Sequence, residues 1–241
     1  MQLAILGTGA VGPALGKAFS NAGHDVVIGT RDPVQTKQRE QWTAIDLPLA
    51  AYQDLETEVF INATNGAGAL SALQAVGDAL TGKVVIDTSN ALDFSQGFPP
   101  SLFVSNTDSL AEQLQRELPE IRLVKMFNTM ANEVMVNPRG LSEDSTIFLA
   151  GNDPAARQSA ASLAADLQSA RPARLQHQGR PLREGVRDQD RVDAGSSVAG
   201  SSPVPGSYPS DCSSIGGLVL RMKNASTKAA MLISAATAKA V

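Results

Sequence analysis

Cysteine, histidine and aromatic residues are scarce in this sequence of 241 residues. Cys212 is the only cysteine, so neither an internal disulfide nor a cluster of thiolate metal ligands can form. His24 and His177 are the only histidines, which argues against a histidine-rich metal site. Aromatic residues make up 4% of the chain, and Trp42 is the only tryptophan. A platform of aromatic rings for stacking nucleic-acid bases is therefore not expected, and no metal ligand is predicted.

An excess of basic charge and long apolar runs are also missing. The formal net charge is −4, whereas a nucleic-acid-binding surface usually carries a basic patch. No run of residues approaches the ~20 apolar positions that a membrane-spanning helix needs. The sequence does not open with a basic segment followed by a long apolar one, as a secretory signal does. We therefore expect a cytoplasmic protein whose partners include neither nucleic acid nor membrane.

What the sequence does contain is an alternation of strand and helix patterns through residues 1–168. The strands are short and continuously apolar, which is typical of a parallel sheet covered by helices on both faces. The pattern predicts an α/β protein with a Rossmann-type, doubly wound, mainly parallel sheet. Strands are predicted at 3–6, 25–29, 58–64, 83–89, 121–129 and 145–151, and helices at 11–23, 67–80, 107–118 and 153–167.

A glycine fingerprint of the form G-x-G-x-x-G lies between the first strand and the first helix. Gly7 permits a tight turn, Gly9 lets the backbone approach a pyrophosphate, and Gly12 lets the helix pack close to the strand. The free amides at the start of the helix then favour bound phosphates. Because the motif sits in the strand–turn–helix context that it requires, we interpret it as a dinucleotide-binding loop rather than as a plain turn.

The residues that follow the second strand predict which dinucleotide is bound. A carboxylate at this place would accept hydrogen bonds from both ribose hydroxyls of NAD, but it would repel a 2′-phosphate. The sequence has Thr30 and Arg31 instead, which can donate to a phosphate, and this favours NADP. Asp32 is expected to belong to the turn with Pro33. Lys37 adds positive charge, although a solvated helix position explains it equally well.

Polar clusters follow three further predicted strands, at 62–68, 87–92 and 125–134. Each cluster alone could be an ordinary turn. In an open parallel sheet, however, ligands bind outside the carboxyl ends of the strands, so three clusters at these ends favour a shared cleft.

At these residues the sequence resembles the NADPH-dependent F420 (deazaflavin) oxidoreductases, and it is also similar to the NADPH domain of the six-transmembrane epithelial antigen ferric reductases. The resemblance spans residues 1–168 and is carried by the segments AILGTGAVGPALGKAF, GHDVVIGTRDP, VFINATNG, VVIDTSNAL and VKMFNTMANEVM.

The resemblance implies roles for two short motifs. The Gly-Thr-Arg triplet at 29–31 would hold the 2′-phosphate of NADP, and Lys125, Phe127 and Asn128 would lie near the nicotinamide. Together, motif and resemblance predict these cofactor-binding residues: Gly7, Thr8, Gly9, Ala10, Val11, Gly12, Thr30, Arg31, Lys37, Ala63, Thr64, Asn65, Thr88, Asn90 and Asn128.

The resemblance further implies an oxidoreductase that transfers hydride between NADP(H) and a flavin-like or deazaflavin acceptor. In such a reaction the cofactors carry the chemistry, and the protein positions two rings. Two alternatives remain at this point. One is a reductase of small carbonyls or imines, for which Lys125 or Asn128 would have to supply a proton. The other is a non-catalytic NADPH-binding sensor or regulatory module.

The composition changes after the predicted α/β domain. The segment 169–216 is rich in glycine, proline, serine and arginine and is typical of a poorly ordered linker, or of translation in an altered reading frame. The last segment, 217–241, is predicted to form an amphipathic helix that serves as a dimerisation element, so a homodimer is expected. Its apolar face would comprise Leu218, Met222, Ala225, Ala229, Leu232 and Ile233.

Overall fold

The computed structural model describes residues 1–137 and 145–169, together with the backbone of 217–222. The strands are β1 (Gln2–Leu6), β2 (Asp25–Thr30), β3 (Leu49–Ala51), β4 (Val59–Asn62), β5 (Val84–Asp87), β6 (Leu92–Asp93), β7 (Ser101–Leu102), β8 (Arg122–Met126), β9 (Ser145–Ala150) and β10 (Gly217–Met222). The helices are α1 (Val11–Asn21), α2 (Pro33–Lys37), α3 (Gly66–Val76), α4 (Leu110–Glu117), α5 (Asn132–Val136) and α6 (Pro154–Ser169).

The main sheet has eight strands in the order β10-β9-β8-β5-β4-β1-β2-β3. Six neighbouring strands of this sheet run parallel, namely β8, β5, β4, β1, β2 and β3. Strands β9 and β10 extend the sheet in antiparallel fashion beyond β8. If β8 is counted as the sixth parallel strand, the parallel part has the 3-2-1-4-5-6 order of the dinucleotide-binding fold. The strand order reverses beside β1, and this place is called the switch point. The predicted Rossmann-type, doubly wound sheet is confirmed.

Two apolar cores cover the two faces of this sheet. On one face, Leu15 and Phe19 of α1 pack with residues of α5 and α6 against the strands. On the other face, Leu73 of α3 and Leu114 of α4 pack against the opposite side of the same strands. Because both faces are buried, the strands are continuously apolar, and this explains why the sequence pattern predicted them correctly.

The described residues also contain elements that the sequence pattern did not predict. The short strand β3 and helix α2 lie between β2 and β4, and the hairpin of β6 and β7 forms a small separate sheet after β5. These elements have two to five residues each, which is too short for a hydrophobic period to emerge.

The prediction of a helix starting at residue 217 is wrong for Gly217–Met222, which form the antiparallel edge strand β10. The register pairs Gly217 with Ala150 and Met222 with Ser145. A short apolar run such as Leu218–Leu220 fits a strand as well as a helix, and the open edge of β9 decides the outcome through backbone hydrogen bonds. The rest of the predicted helix, 223–241, and nearly all of the predicted linker, 170–216, lie outside the described residues. The homodimer stays a prediction.

Among the helices of the described segments, none has the length and apolar character needed to cross a membrane.

Candidate active site

The glycine loop between β1 and α1 turns so tightly that side chains are excluded at two positions. Gly7 has a φ of +120°, in the region that favours glycine, and a β-carbon there would lie 2.6 Å from the carbonyl oxygen of Ala63. A β-carbon on Gly12 would lie 2.0 Å from the carbonyl oxygen of Gly7. The helix therefore starts directly against the end of β1, as the fingerprint predicts.

The middle of the loop is open. A β-carbon on Gly9 would have no atom within 4 Å among the described residues, and Gly9 and Ala10 are exposed. Helix α1 has no side-chain cap at Ala10 and no acidic residue in its first turn. Its first amides, at the positive end of the helix dipole, thus lack the side-chain acceptor that usually caps a helix. This arrangement suits an anionic group such as a pyrophosphate.

The segment of Arg39 and Trp42, which follows β2 and α2, holds this loop by hydrogen bonds to Thr8 that the sequence pattern did not predict. The indole Nε1 of Trp42 donates to the carbonyl oxygen of Thr8 at 3.2 Å, and Nη1 of Arg39 donates to Oγ1 of Thr8 at 3.2 Å. Trp42 is completely buried, whereas Arg39 is exposed. The uniqueness of Trp42 and the basic residues between 31 and 39 were the available signals. The contact itself joins residues more than thirty positions apart, which no local pattern reveals.

The residues after β2 divide into buried and exposed groups. Thr30 is buried, and its hydroxyl shares a 2.8 Å hydrogen bond with Oγ1 of Thr36. Arg31 is exposed and makes no ion pair with any described residue. It lies near Tyr52, whose pKa is raised by burial and lowered to a smaller extent by the Arg31 guanidinium. Of the two predicted phosphate ligands, Arg31 is therefore the accessible one.

Asp32 and Lys37, which follow Arg31 in this segment, both have local partners. Asp32 caps helix α2 by accepting a hydrogen bond from the Gln35 amide at 2.9 Å. Its predicted place in the turn with Pro33 is confirmed, since Pro33 is the first residue of that helix. The Lys37 ammonium donates to the carbonyl oxygen of Ile45 at 3.2 Å while remaining exposed. The hydrogen bond to Ile45 gives the Lys37 ammonium a structural role that needs no ligand. A role of Lys37 at a phosphate stays a prediction.

The loops at the carboxyl ends of β1, β4, β5 and β8 meet along one edge of the sheet. The close approach of Gly7 to Ala63 joins the first two loops. A β-carbon on Gly66 would lie 2.1 Å from the carbonyl oxygen of Asn90, which brings in the third. The Nδ2 of Asn90 donates to the carbonyl oxygen of Asn128 at 2.8 Å and joins the fourth. The polar clusters that the sequence placed at these strand ends thus adjoin one another.

Several predicted cofactor residues on this edge are held by the protein itself. The Asn65 side chain caps α3 by accepting from the Gly68 amide at 2.7 Å. Thr64 donates through Oγ1 to Asn62 Oδ1 at 2.7 Å, and Thr88 donates through Oγ1 to the carbonyl oxygen of Asn62 at 3.0 Å. These side chains shape the loops, so their contacts with a ligand stay predictions.

Behind these loops lies a row of three polar side chains that the sequence pattern did not reveal as a unit. Asn62, Asp87 and Lys125 are register partners on the neighbouring strands β4, β5 and β8. Asp87 Oδ1 accepts from Asn62 Nδ2 at 2.8 Å, and Asp87 Oδ2 accepts from Lys125 Nζ at 2.6 Å. The Asp87 side chain is completely buried, and that of Lys125 is 13% exposed. The Lys125 ammonium also donates to the carbonyl oxygen of Ser89.

Phe127 and Asn128 continue the chain beyond β8. Phe127 has a φ of +67°, which is rare for a side chain of its size, and its ring is completely buried in the core. Any contact of Phe127 with a ligand would therefore involve its backbone. Asn128 is nearly buried and lies against Asn90, with its Nδ2 3.4 Å from Asn90 Oδ1. The unusual backbone at Phe127 thus turns the chain so that Asn128 meets the neighbouring loop.

The assembled edge has the features of a dinucleotide site. It offers an open glycine turn, uncapped helix amides, an exposed arginine after β2 and polar loops on the far side of the switch point. Within the described segments, no group of three histidine, cysteine, aspartate or glutamate side chains is placed to hold a metal ion. A sheet of this order with such a loop defines a nucleotide-binding protein of the Rossmann class.

Comparison with known proteins identifies the family. Residues 2–91 match the family described as coenzyme F420-dependent NADP oxidoreductase. A protein from Arthrobacter sp. FB24, named as an F420-dependent NADP-reductase, is 44% identical, with a TM-score of 0.65 over 69% of this chain and 80% of that one. A hypothetical protein from Sinorhizobium meliloti is 28% identical, with a TM-score of 0.57 over 69% and 81% of the two chains. The chain belongs to the F420-dependent NADP oxidoreductase family.

Proposed function

We propose that this chain binds NADP(H) along the carboxyl edge of its sheet and transfers hydride between the nicotinamide and a flavin-like or deazaflavin acceptor. The observation that carries the proposal is the glycine loop. Gly12 must be glycine because the loop closes on itself, with 2.0 Å between its β position and the Gly7 oxygen, while Gly9 faces open space. A loop that excludes a side chain at Gly12 and leaves open space beside Gly9 suits a pyrophosphate bound to the first amides of α1.

The preference for NADP over NAD rests on Arg31. The neighbouring carboxylate, Asp32, has a local role, because its Oδ1 accepts from the Gln35 amide as the cap of α2. An exposed guanidinium can pair with a 2′-phosphate through two parallel hydrogen bonds. The buried hydroxyl pair of Thr30 and Thr36 supports the backbone from which Arg31 projects.

The nature of the acceptor is suggested by the state of Lys125. Bound NADPH supplies the hydride, and a ring-shaped acceptor needs the protein chiefly to align two rings. A reductase of small carbonyls or imines would need a proton donor, for which Lys125 and Asn128 are the two candidates, and Lys125 is the one with a charged proton-bearing group. Its ammonium donates to Asp87 and to the Ser89 carbonyl, which makes Lys125 an anchor of the strand end. This observation favours the deazaflavin or flavin acceptor.

The proposal is tested by calorimetry with NADPH and NADH, followed by assays of NADPH oxidation with coenzyme F420, FMN and a panel of carbonyls and imines. We expect tighter binding of NADPH than of NADH, and turnover with the ring-shaped acceptors. Binding without turnover on any acceptor would identify the chain as a non-catalytic NADPH sensor. Turnover with carbonyls or imines alone would support the other alternative, and failure to bind either dinucleotide would refute the proposal.

A further inference from the structure

The polar row of Asn62, Asp87 and Lys125 stands where an apolar row would serve folding equally well. One residue earlier on each of the same three strands, the register partners are the apolar residues Ile61, Ile86 and Val124. All three are completely buried. Burying a carboxylate and an ammonium is costly unless both are paired, and such pairs are often no more stabilising than apolar residues. The polar row therefore calls for a reason other than stability.

Asn62 and Asp87 are each bonded to the loop that begins directly after them, and Lys125 is bonded to the loop that follows Asp87. Asn62 Oδ1 accepts from the backbone amide of Thr64 at 3.3 Å and from its hydroxyl at 2.7 Å. Asp87 Oδ1 accepts from the amide of Ser89 at 3.2 Å and from its hydroxyl at 2.7 Å. The Lys125 ammonium donates to the carbonyl oxygen of Ser89. A side chain from β8 thus holds the loop that follows β5.

We infer that Asp87 and Lys125 are positioning residues that set the loops after β4, β5 and β8 for the nicotinamide half of NADP(H). The inference rests on the proposed function. The pair reaches the edge of the cleft through Ser89, whose neighbour Asn90 is bonded to Asn128. The adenosine half belongs on the other side of β1, near Arg31 and the glycine loop. Among the described residues, the hydrogen bonds of Asp87 and Lys125 go to Asn62, to Ser89 and to each other, and none goes to that side. A disturbed row should therefore weaken only one half of the binding site.

The test compares NADPH with adenosine 2′,5′-bisphosphate, a fragment that carries the 2′-phosphate but no nicotinamide. Calorimetry and thermal unfolding are measured for the wild type, for Asp87→Asn and for the double variant Asp87→Asn/Lys125→Met. The control is Asp108→Asn/Arg116→Met, because Asp108 and Arg116 form an ion pair at 2.7 Å on helix α4 and its approach. That pair is more exposed, and neither residue is a predicted ligand.

The single variant leaves the Lys125 ammonium without its buried counter-charge, so its melting temperature should fall. The double variant removes both charges and should recover most of that loss. In both, NADPH should bind about tenfold more weakly, as for the loss of one hydrogen bond to a charged group. Binding of adenosine 2′,5′-bisphosphate should stay within about twofold of the wild type, a change of the size seen for independent sites. The control should bind both ligands as the wild type does.

Three outcomes overturn the inference. The first is wild-type NADPH affinity in the double variant, which would make the row purely structural. The second is an equal loss for both ligands, which would indicate a general disturbance of the fold. The third is a wild type that binds neither ligand, which would refute the proposed function itself. Should the charge variants fail to fold, Ser89→Ala removes the hydroxyl bond to Asp87 without altering any charge. It should show a smaller NADPH-selective loss, and an equal loss for both ligands there would also refute the inference.

Discussion

The indole Nε1 of Trp42 donates a hydrogen bond to the carbonyl oxygen of Thr8, at a distance of 3.2 Å. Thr8 lies within the glycine loop, and the buried Trp42 lies in a short helical turn after α2. The segment that carries the basic residues near the adenosine side therefore also fixes the loop that faces the pyrophosphate. The glycine loop and the basic segment after β2, which together form the predicted phosphate site, are thus connected by the hydrogen bonds of Trp42 and Arg39 to Thr8.

Replacing Trp42 by phenylalanine tests this connection. The Trp42→Phe variant keeps an aromatic ring in the core but loses the donor to Thr8. The free energy of unfolding should therefore fall by about 1 kcal/mol for the lost hydrogen bond, and further because the smaller ring leaves a cavity. NADPH affinity should fall several-fold, because the Thr8 peptide is no longer held. Chemical denaturation and calorimetry measure the two effects. A stability loss with unchanged NADPH affinity would show that Trp42 serves the core alone.

Removing the guanidinium of Arg31 should separate the two dinucleotides. We expect Arg31→Ala to weaken NADPH binding by ~1.5–3 kcal/mol, the range for a hydrogen bond to a charged group, and to leave NADH nearly unchanged. Calorimetry with both cofactors gives the comparison, and Arg116→Ala serves as a control for loss of an exposed arginine. Equal losses for NADPH and NADH would contradict the role of Arg31 at the 2′-phosphate.

Two glycines of the same loop should respond in opposite ways. A side chain at Gly9 meets no described atom within 4 Å, so Gly9→Val should fold normally yet fail to bind NADPH, since the valine occupies the place of the pyrophosphate. At Gly12 a β-carbon would lie 2.0 Å from a backbone oxygen, so Gly12→Ala should disturb the start of α1 and lower the melting temperature. Normal NADPH binding by a folded Gly9→Val protein would reduce the fingerprint to a plain turn.

The Asp108–Arg116 pair predicts a pH dependence of stability away from the cleft. Hydrogen bonds from Arg116 first and Gln113 second lower the pKa of Asp108 from 3.8 to about 2. Because the pKa is lower in the folded state, the stabilisation is present above pH 3.8 and is lost as the pH falls towards 2. The difference in unfolding free energy between the wild type and Asp108→Asn should therefore shrink across this interval. A difference that stays constant down to pH 2 would contradict the assignment.

The parts of this protein that the sequence predicted are those with local causes. The glycine fingerprint, the apolar strands and the turn of Asp32 with Pro33 each depend on neighbouring residues, so the pattern contains the information. The polar row does not, because Asn62, Asp87 and Lys125 become partners only through the register of three strands. Asp87 belongs to a polar cluster that the sequence pattern did identify. Its burial and its hydrogen bonds to the Asn62 amide and the Lys125 ammonium, however, arise only from the tertiary structure.

The same distinction explains the errors in the predicted elements. Residues 218–220 form an apolar run that can be assigned to a helix from its spacing, and only the free edge of β9 makes Gly217–Met222 a strand. Thr30 was predicted as a phosphate donor from its place after β2, and this stays a prediction; its hydroxyl bond to Thr36 is a contact that the sequence pattern did not reveal. In both cases a partner distant from the motif determines the structure.

The most direct test of the central claim follows a deuterium label from C4 of NADPH into coenzyme F420. A deazaflavin is the right acceptor because the hydrogen that it gains on carbon does not exchange with water, unlike hydrogen on the nitrogen of a reduced flavin. Mass spectrometry of the reduced acceptor should show one deuterium when NADPH labelled on the transferred face is used with the wild-type protein. The Arg31→Ala variant should give the same labelled product at a reduced rate under subsaturating NADPH. Reduced acceptor without label, from NADPH labelled on either face, would contradict direct hydride transfer, and the absence of any reduced acceptor would contradict the proposed reaction.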